Sequence, residues 1–82
     1  MVEIVQEGTA TTTVQELPFS ITYLDLLIND SEDTSLQFSF YGNTYKTLLP
    51  NEFIKDKEVN VSKLYIKTAS GTASFRAWGI QE

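Results

Sequence analysis

Apolar residues in this chain recur at every second position in short runs, and turn formers break those runs about every 8–12 residues. Leu36, Phe38 and Phe40 alternate with polar neighbours, as do Leu64 and Ile66, then Phe75 and Ala77. A period of two gives a strand one buried face, so the pattern excludes a helical bundle and predicts an all-β fold. Glycine and asparagine sit where the runs must reverse.

The final segment, VSKLYIKTASGTASFRAWGIQE, illustrates the reading most fully. Ser70-Gly71 has the composition of a two-residue turn, with Gly71 supplying positive φ. A hairpin closed there pairs Tyr65 with Arg76 and Lys63 with Trp78. Its apolar face carries Leu64, Ile66, Phe75 and Ala77. Its other face carries Lys63, Tyr65, Lys67, Arg76, Trp78 and Ile80, and cations placed near π faces contribute about 0.5–1 kcal/mol each when exposed. This face is the candidate interface, and the competing role for Trp78 is a large edge residue that caps the core.

Upstream, Gly42-Asn43 predicts a second hairpin, with Phe40 opposite Tyr45, Phe38 opposite Thr47 and Leu36 opposite Leu49. Leu49-Pro50-Asn51-Glu52 reads as a turn with Asn51 at the position that tolerates positive φ. Phe53-Ile54 begins a strand, Lys55-Asp56-Lys57 interrupts it, and Val59 and Val61 resume the alternation. Between Phe19 and Asn29 the apolar parity changes at Tyr23-Leu24, which predicts a bulge there in preference to a short helix. Residues 1–16 alternate weakly and are rich in threonine, as an extended N-terminal arm or edge strand would be. The expected architecture is a small antiparallel β-sandwich, jelly-roll or Ig-like, of seven or eight short strands over residues 17–82.

With 82 residues the chain makes one domain with a thin core, for which oligomerisation is a common remedy. It lacks cysteine and histidine, which removes disulfides, thiolate nucleophiles, the commonest general base and the usual zinc ligands. Serines and threonines thus have no imidazole to activate them, and the scattered glycines form no phosphate-binding loop. Asp30, Glu32 and Asp33 lie in an acidic loop that could offer oxygens to calcium. It lacks the glycine and distal glutamate of a calcium loop, so a solvated turn is favoured, and no metal or cofactor is expected. A domain of this size offers no deep cleft to split the pKa values of paired carboxylates. The expected function is non-enzymatic.

Charge is unevenly distributed. Residues 1–45 contain seven acids and no base, whereas residues 46–82 contain all six bases and four acids, within a net charge of −5. If the fold separates these halves, head-to-tail self-association or a basic partner follows; if it mixes them, the acids serve solubility. Too few cations cluster for nucleic-acid binding. No run approaches a membrane span, and MVEIVQEGTA lacks the basic and apolar regions of a leader, so cytoplasmic synthesis without membrane association is expected.

Four pieces also carry a family likeness: Asn29-Asp30 closing a strand, Phe40-Tyr41-Gly42, Leu49-Pro50-Asn51-Glu52, and Leu64 to Gly79. Together they make residues 24–80 resemble the small β-sandwich accessory proteins of tailed-bacteriophage virions, the head-decoration, head-fibre and tail-accessory class. Asn51 departs from the pattern, which has glycine there. The resemblance implies a structural subunit of the virion, forming homo-oligomers and contacting a major capsid or tail protein, with host-surface glycan as a further possible partner. The rival reading is a carbohydrate-binding module that stacks sugar rings on Tyr65 and Trp78, with Gln37, Asn43 or Asn60 bonding hydroxyls.

Overall fold

The computed structural model describes all 82 residues, Met1–Glu82. The chain is all-β with no helix. Six strands, β1 (Val2–Ala10), β2 (Gln15–Asn29), β3 (Leu36–Ser39), β4 (Lys46–Leu48), β5 (Phe53–Lys67) and β6 (Ala73–Gln81), form one open antiparallel sheet. The order across it is β1-β6-β2-β5-β3-β4. The structure thus has one sheet of six strands where the alternation predicted seven or eight in a sandwich. Two strands of 15 residues account for the lower number, because Lys55-Asp56-Lys57 does not end β5.

The long strands bend. β2 buries Phe19 and Ile21, then Leu24, then Leu27 and Asn29, so its inward parity changes twice. Against β6, Asp25 is an extra residue: Leu24 pairs with Gly79 and Leu26 with Trp78. On the other flank, register shifts fall between Pro18 and Ile21 and between Ile21 and Tyr23. The bulge expected at Tyr23-Leu24 is therefore present one position later on the β6 side. Opposite Asp25, Asp56 of β5 has φ of +56°, and Ile54, Lys57 and Val59 keep one face across it only because one residue is set aside. Bulges of this kind raise local twist and curvature.

Curvature makes the core possible, since a flat single sheet would leave its apolar face in water. Here Ala10, Phe19, Leu24, Leu27, Leu36, Leu64 and Ile66 are fully buried within one cluster of 14 residues. Burial of each large side chain contributes about 1.5–3 kcal/mol. The sheet's ends are tied by side chains: Gln6 Nε2 donates to Pro18 O at 2.8 Å and Gln15 Nε2 to Thr9 O at 3.0 Å. β1 is not a free arm, as it pairs along its whole length with β6 from Val2↔Gln81 to Ala10↔Ala73. The boundary expected at residues 16 and 17 falls inside β2.

The predicted terminal hairpin does not form. β2 lies between β5 and β6, so Tyr65 pairs with Glu16 and Ser39, while Arg76 pairs with Glu7 and Ile28. Thr68 to Thr72 makes a connection instead. Gly71 has the expected positive φ of +73°, Thr68 Oγ1 donates to Gly71 O at 2.6 Å, and Thr68 N donates to Thr11 O. The β3–β4 hairpin does form, displaced by one residue: Leu36 pairs with Leu48 and Phe38 with Lys46, which leaves Leu49 exposed. Ser39 Oγ accepts from the N–H groups of Tyr41 and Gly42 and lengthens the loop. The Leu49–Glu52 turn is as predicted, with Asn51 at φ +62° and Glu52 N donating to Leu49 O at 2.9 Å.

Gly79 shows how tightly β6 packs. A Cβ there would lie 2.5 Å from Ile21 Cγ2 and 3.1 Å from Ile21 Cβ. Ile21 is buried and stiff at χ1, so it has little room to yield. Gly79→Ala is expected to destabilise by about 1–3 kcal/mol through overpacking. Ile21→Ala, which removes the clashing Cγ2, combined with Gly79→Ala should cost less than the sum of the two single variants in a denaturant titration; equal stability of Gly79→Ala and the parent would contradict the contact.

Candidate functional site

The inward and outward assignment of the predicted interface agrees with the structure. Leu64, Ile66, Phe75 and Ala77 are buried, whereas Lys63 and Arg76 are exposed and Tyr65, Lys67, Trp78 and Ile80 are half-buried. Their grouping differs. Tyr65 pairs with Glu16 and Trp78 with Leu26, so ten positions along β2, roughly 30 Å of extended strand, separate the two rings. They cannot stack on one sugar.

Each half of the predicted face has its own partners. Lys63 forms an ion pair with Glu16. Tyr65 lies under Gly42, whose φ of +83° brings the loop so close that a Cβ would sit 3.1 Å from Cζ of the ring. The Nζ of Lys67 stands 4.3 Å from the centroid of Tyr45. On β6, Arg76 Nη2 meets Asp30 Oδ2 at 2.9 Å. The acidic loop that supplies Asp30 is organised from within by fully buried Asn29, whose Nδ2 donates to Thr34 O and Leu48 O while its Oδ1 accepts from Ser31 N.

Trp78 and Ile80 belong to a surface that alternation in one segment could not show. Across the outer face of β1, β6, β2 and β5 run three rows: Glu3–Ile80–Tyr23–Glu58, Val5–Trp78–Leu26–Lys55 and Glu7–Arg76–Ile28–Phe53. Trp78 is the centre. Val5 and Phe53 are 43% and 49% exposed, and Lys55 lies over the Phe53 ring at 5.9 Å. The patch draws on four strands distant in sequence, beside the unpaired flank of β1. Trp78 therefore stands on the outer face and does not cap the core.

A second concavity lies between the β3–β4 hairpin and the first half of β5. It encloses about 790 Å³, with Leu24, Phe38 and Leu48 at its floor and Tyr41, Phe53, Lys46 and Lys57 among the residues of its mouth. Tyr41 is 74% exposed, a large aromatic left mostly to solvent at the edge of the groove. Only the surplus aromatics of FYGNTY signal this groove in the sequence. No group of three or more His, Cys, Asp or Glu side chains is arranged to hold a metal ion.

No family model matches this chain, and neither curated proteins nor solved structures give a match.

Two groups have displaced pKa values. Desolvation on the half-buried outer face, followed by the charges and hydrogen bond of Asp56 and the charges of Asp25 and Glu58, raises the Tyr23 phenol above 10.0. The hydrogen bond and charge of Glu16 raise Lys63 above 10.5. Both shifts are upward, so both contributions are complete below the unfolded values and fade as pH rises through the folded ones. Stability should consequently fall above about pH 10. In Asp56→Asn the absorbance titration of Tyr23 should move to lower pH; an unchanged midpoint would remove Asp56 as a cause.

Proposed function

We propose that this chain is a non-enzymatic assembly subunit of a tailed-bacteriophage virion, seated on the capsid or tail through lattice contacts and through copies of itself. The observation that carries the proposal is the apolar outer patch centred on Trp78, continuous with the nine-residue open edge of β1. An unpaired edge of this length is a template for strand addition. Proteins commonly blunt such edges with lysine or proline, and β1 has neither. A large aromatic at the middle of an aliphatic row is the usual anchor of a protein interface.

The acids around the patch define the partner. Glu3 and Glu7 project from the outer face of β1 beside Val5, so a virion surface that presents a strand flanked by lysine or arginine would complement it. In this reading the single bulged sheet, which buries its own 14-residue core, takes the place of the β-sandwich found in the virion proteins that the sequence resembles. A host-surface glycan is the secondary partner. Exposed Tyr41 and Phe53 at the mouth of the groove, with Asn43, Thr44 and Thr47 beside them, favour that second use over Tyr65 and Trp78.

Co-sedimentation with purified capsids and tails tests the main reading. The untagged chain should pellet with one of them, and the emission of its sole tryptophan should shift to the blue as Trp78 is covered. Trp78→Ala should weaken this binding by about 1.4–3 kcal/mol, tenfold or more, while the circular dichroism spectrum stays that of the parent. Failure to bind either particle, with the chain folded, would refute the proposal. Glycan binding in its place would appear as shifted Tyr41 and Phe53 resonances with tryptophan emission unchanged.

A further inference from the structure

β5 has a second open flank, distinct from the β1 edge. Residues 53–63 pair with β2 on one side, but β3 covers the other side only at Tyr65, Ile66 and Lys67. In an antiparallel ladder, alternate residues direct their N–H and C=O groups to each flank, so half of those in this stretch point away from β2. The stretch is also accessible: Phe53, Lys55, Asp56, Lys57, Glu58 and Asn60 are all exposed. Its sequence, Ile54-Lys55-Asp56-Lys57-Glu58-Val59, is complementary to its own reverse.

We infer that this flank pairs with the same flank of a second copy across a two-fold axis. Centred between Asp56 and Lys57, antiparallel pairing sets Lys55 opposite Glu58 of the second copy, Asp56 opposite its Lys57, and Ile54 opposite its Val59. Two-fold symmetry repeats each pair, giving four opposite-charge pairs and two aliphatic ones. Register is fixed by repulsion. A slip of one residue in one direction sets Lys55 against Lys57 and Asp56 against itself, and a slip in the other sets Asp56 against Glu58 and Lys57 against itself.

The bulge at Asp56 reconciles this register with the faces of the sheet. In a regular strand Ile54 and Val59, five residues apart, would lie on opposite faces. Here Asp56, at φ +56°, takes up the extra position, and both Ile54 and Val59 pack on the core side. Lys55 and Glu58, opposite Leu26 and Tyr23 of β2, both lie on the outer face. Thus Ile54 meets Val59 on the core side and Lys55 meets Glu58 on the outer side, while at the centre Asp56, whose carboxylate accepts from Tyr23 Oη on the outer face, meets Lys57 across the bulge, so the two outer-side charge pairs carry the register. The β1 edge has no comparable complementarity, because it contains Glu3 and Glu7 and no cation.

This inference deepens the assembly reading by naming one self-contact, and it is tested without any virion component. Sedimentation equilibrium of the untagged 9.3 kDa chain should give a mass approaching twice that value as concentration rises. Lys55→Glu and Glu58→Lys, made singly, should each weaken dimerisation about 10- to 100-fold, because each places like charges opposite at two symmetry-related positions. The double variant K55E/E58K restores opposite charges and should return the dimer to near the parent's affinity. A monomer at every concentration, undiminished dimerisation in the single variants, or no recovery in the double variant would each overturn the inference. Co-sedimentation of Lys55→Glu with capsids and tails separates the two readings: binding without dimerisation leaves the assembly role standing, and dimerisation of the parent without binding leaves only the self-contact.

Discussion

Nearly every part of this fold is positioned by β2. It is the one 15-residue strand that joins the two halves of the sheet order, paired with β5 from Gln15 to Ile28 on one flank and with β6 from Tyr23 to Asn29 on the other. A strand held twice cannot curve gradually without breaking ladder bonds. β2 instead changes direction at bulges, where Phe19 and Ile21 give way to Leu24 and then to Leu27. The cost is local irregularity at Asp25, partly matched by Asp56 on the neighbouring strand. The return is an enclosed core, built from a single sheet in a chain too short for two large ones.

This arrangement explains which features were legible in the sequence. Side-chain facing was, because alternation is local: Leu64, Ile66, Phe75 and Ala77 point inward whichever strand lies beside them. Turn chemistry was also legible at Leu49–Glu52, where proline and asparagine permit few alternatives. Strand partnership was not. The turn-like composition of Ser70-Gly71 argued for β5 beside β6, the cheapest closure in chain entropy. The structure places β2 between them, where it covers the apolar residues of both. Non-local burial outweighs local closure here, and no window of sequence records that competition. The hairpin at Gly42 failed by a single residue for a smaller reason, the capture of two loop N–H groups by Ser39 Oγ.

The same burial dispersed the predicted site. Tyr65 and Lys67 are engaged by the FYGNTY loop, Lys63 by Glu16 and Arg76 by Asp30, so four of the six residues have partners within the chain. Both ion pairs join an acid from the first 45 residues to a base from the remainder. The fold thus mixes the two charge populations at these points. Neither pair adds much stability, since both are about half exposed and screened. Trp78 and Ile80 keep the outward role read from alternation, but their neighbours come from β1 and β2.

The two open flanks have opposite electrostatic characters, and that difference bears on how copies and partners are told apart. β1 is acidic and β5 from Lys55 to Glu58 alternates in sign. An edge of one sign gains most from a partner of the other sign, which a second β1 does not provide. An alternating edge is satisfied by its own reverse in one register and repelled in the adjacent ones. The outer patch around half-buried Trp78 spans the strands between these flanks, from Val5 on β1 to Phe53 on β5. A chain associated through β5 would therefore still present its acidic β1 edge on the far side of the sheet, with the apolar rows leading up to it. Specificity at the two sites would come less from buried area than from which charges each edge can tolerate opposite itself.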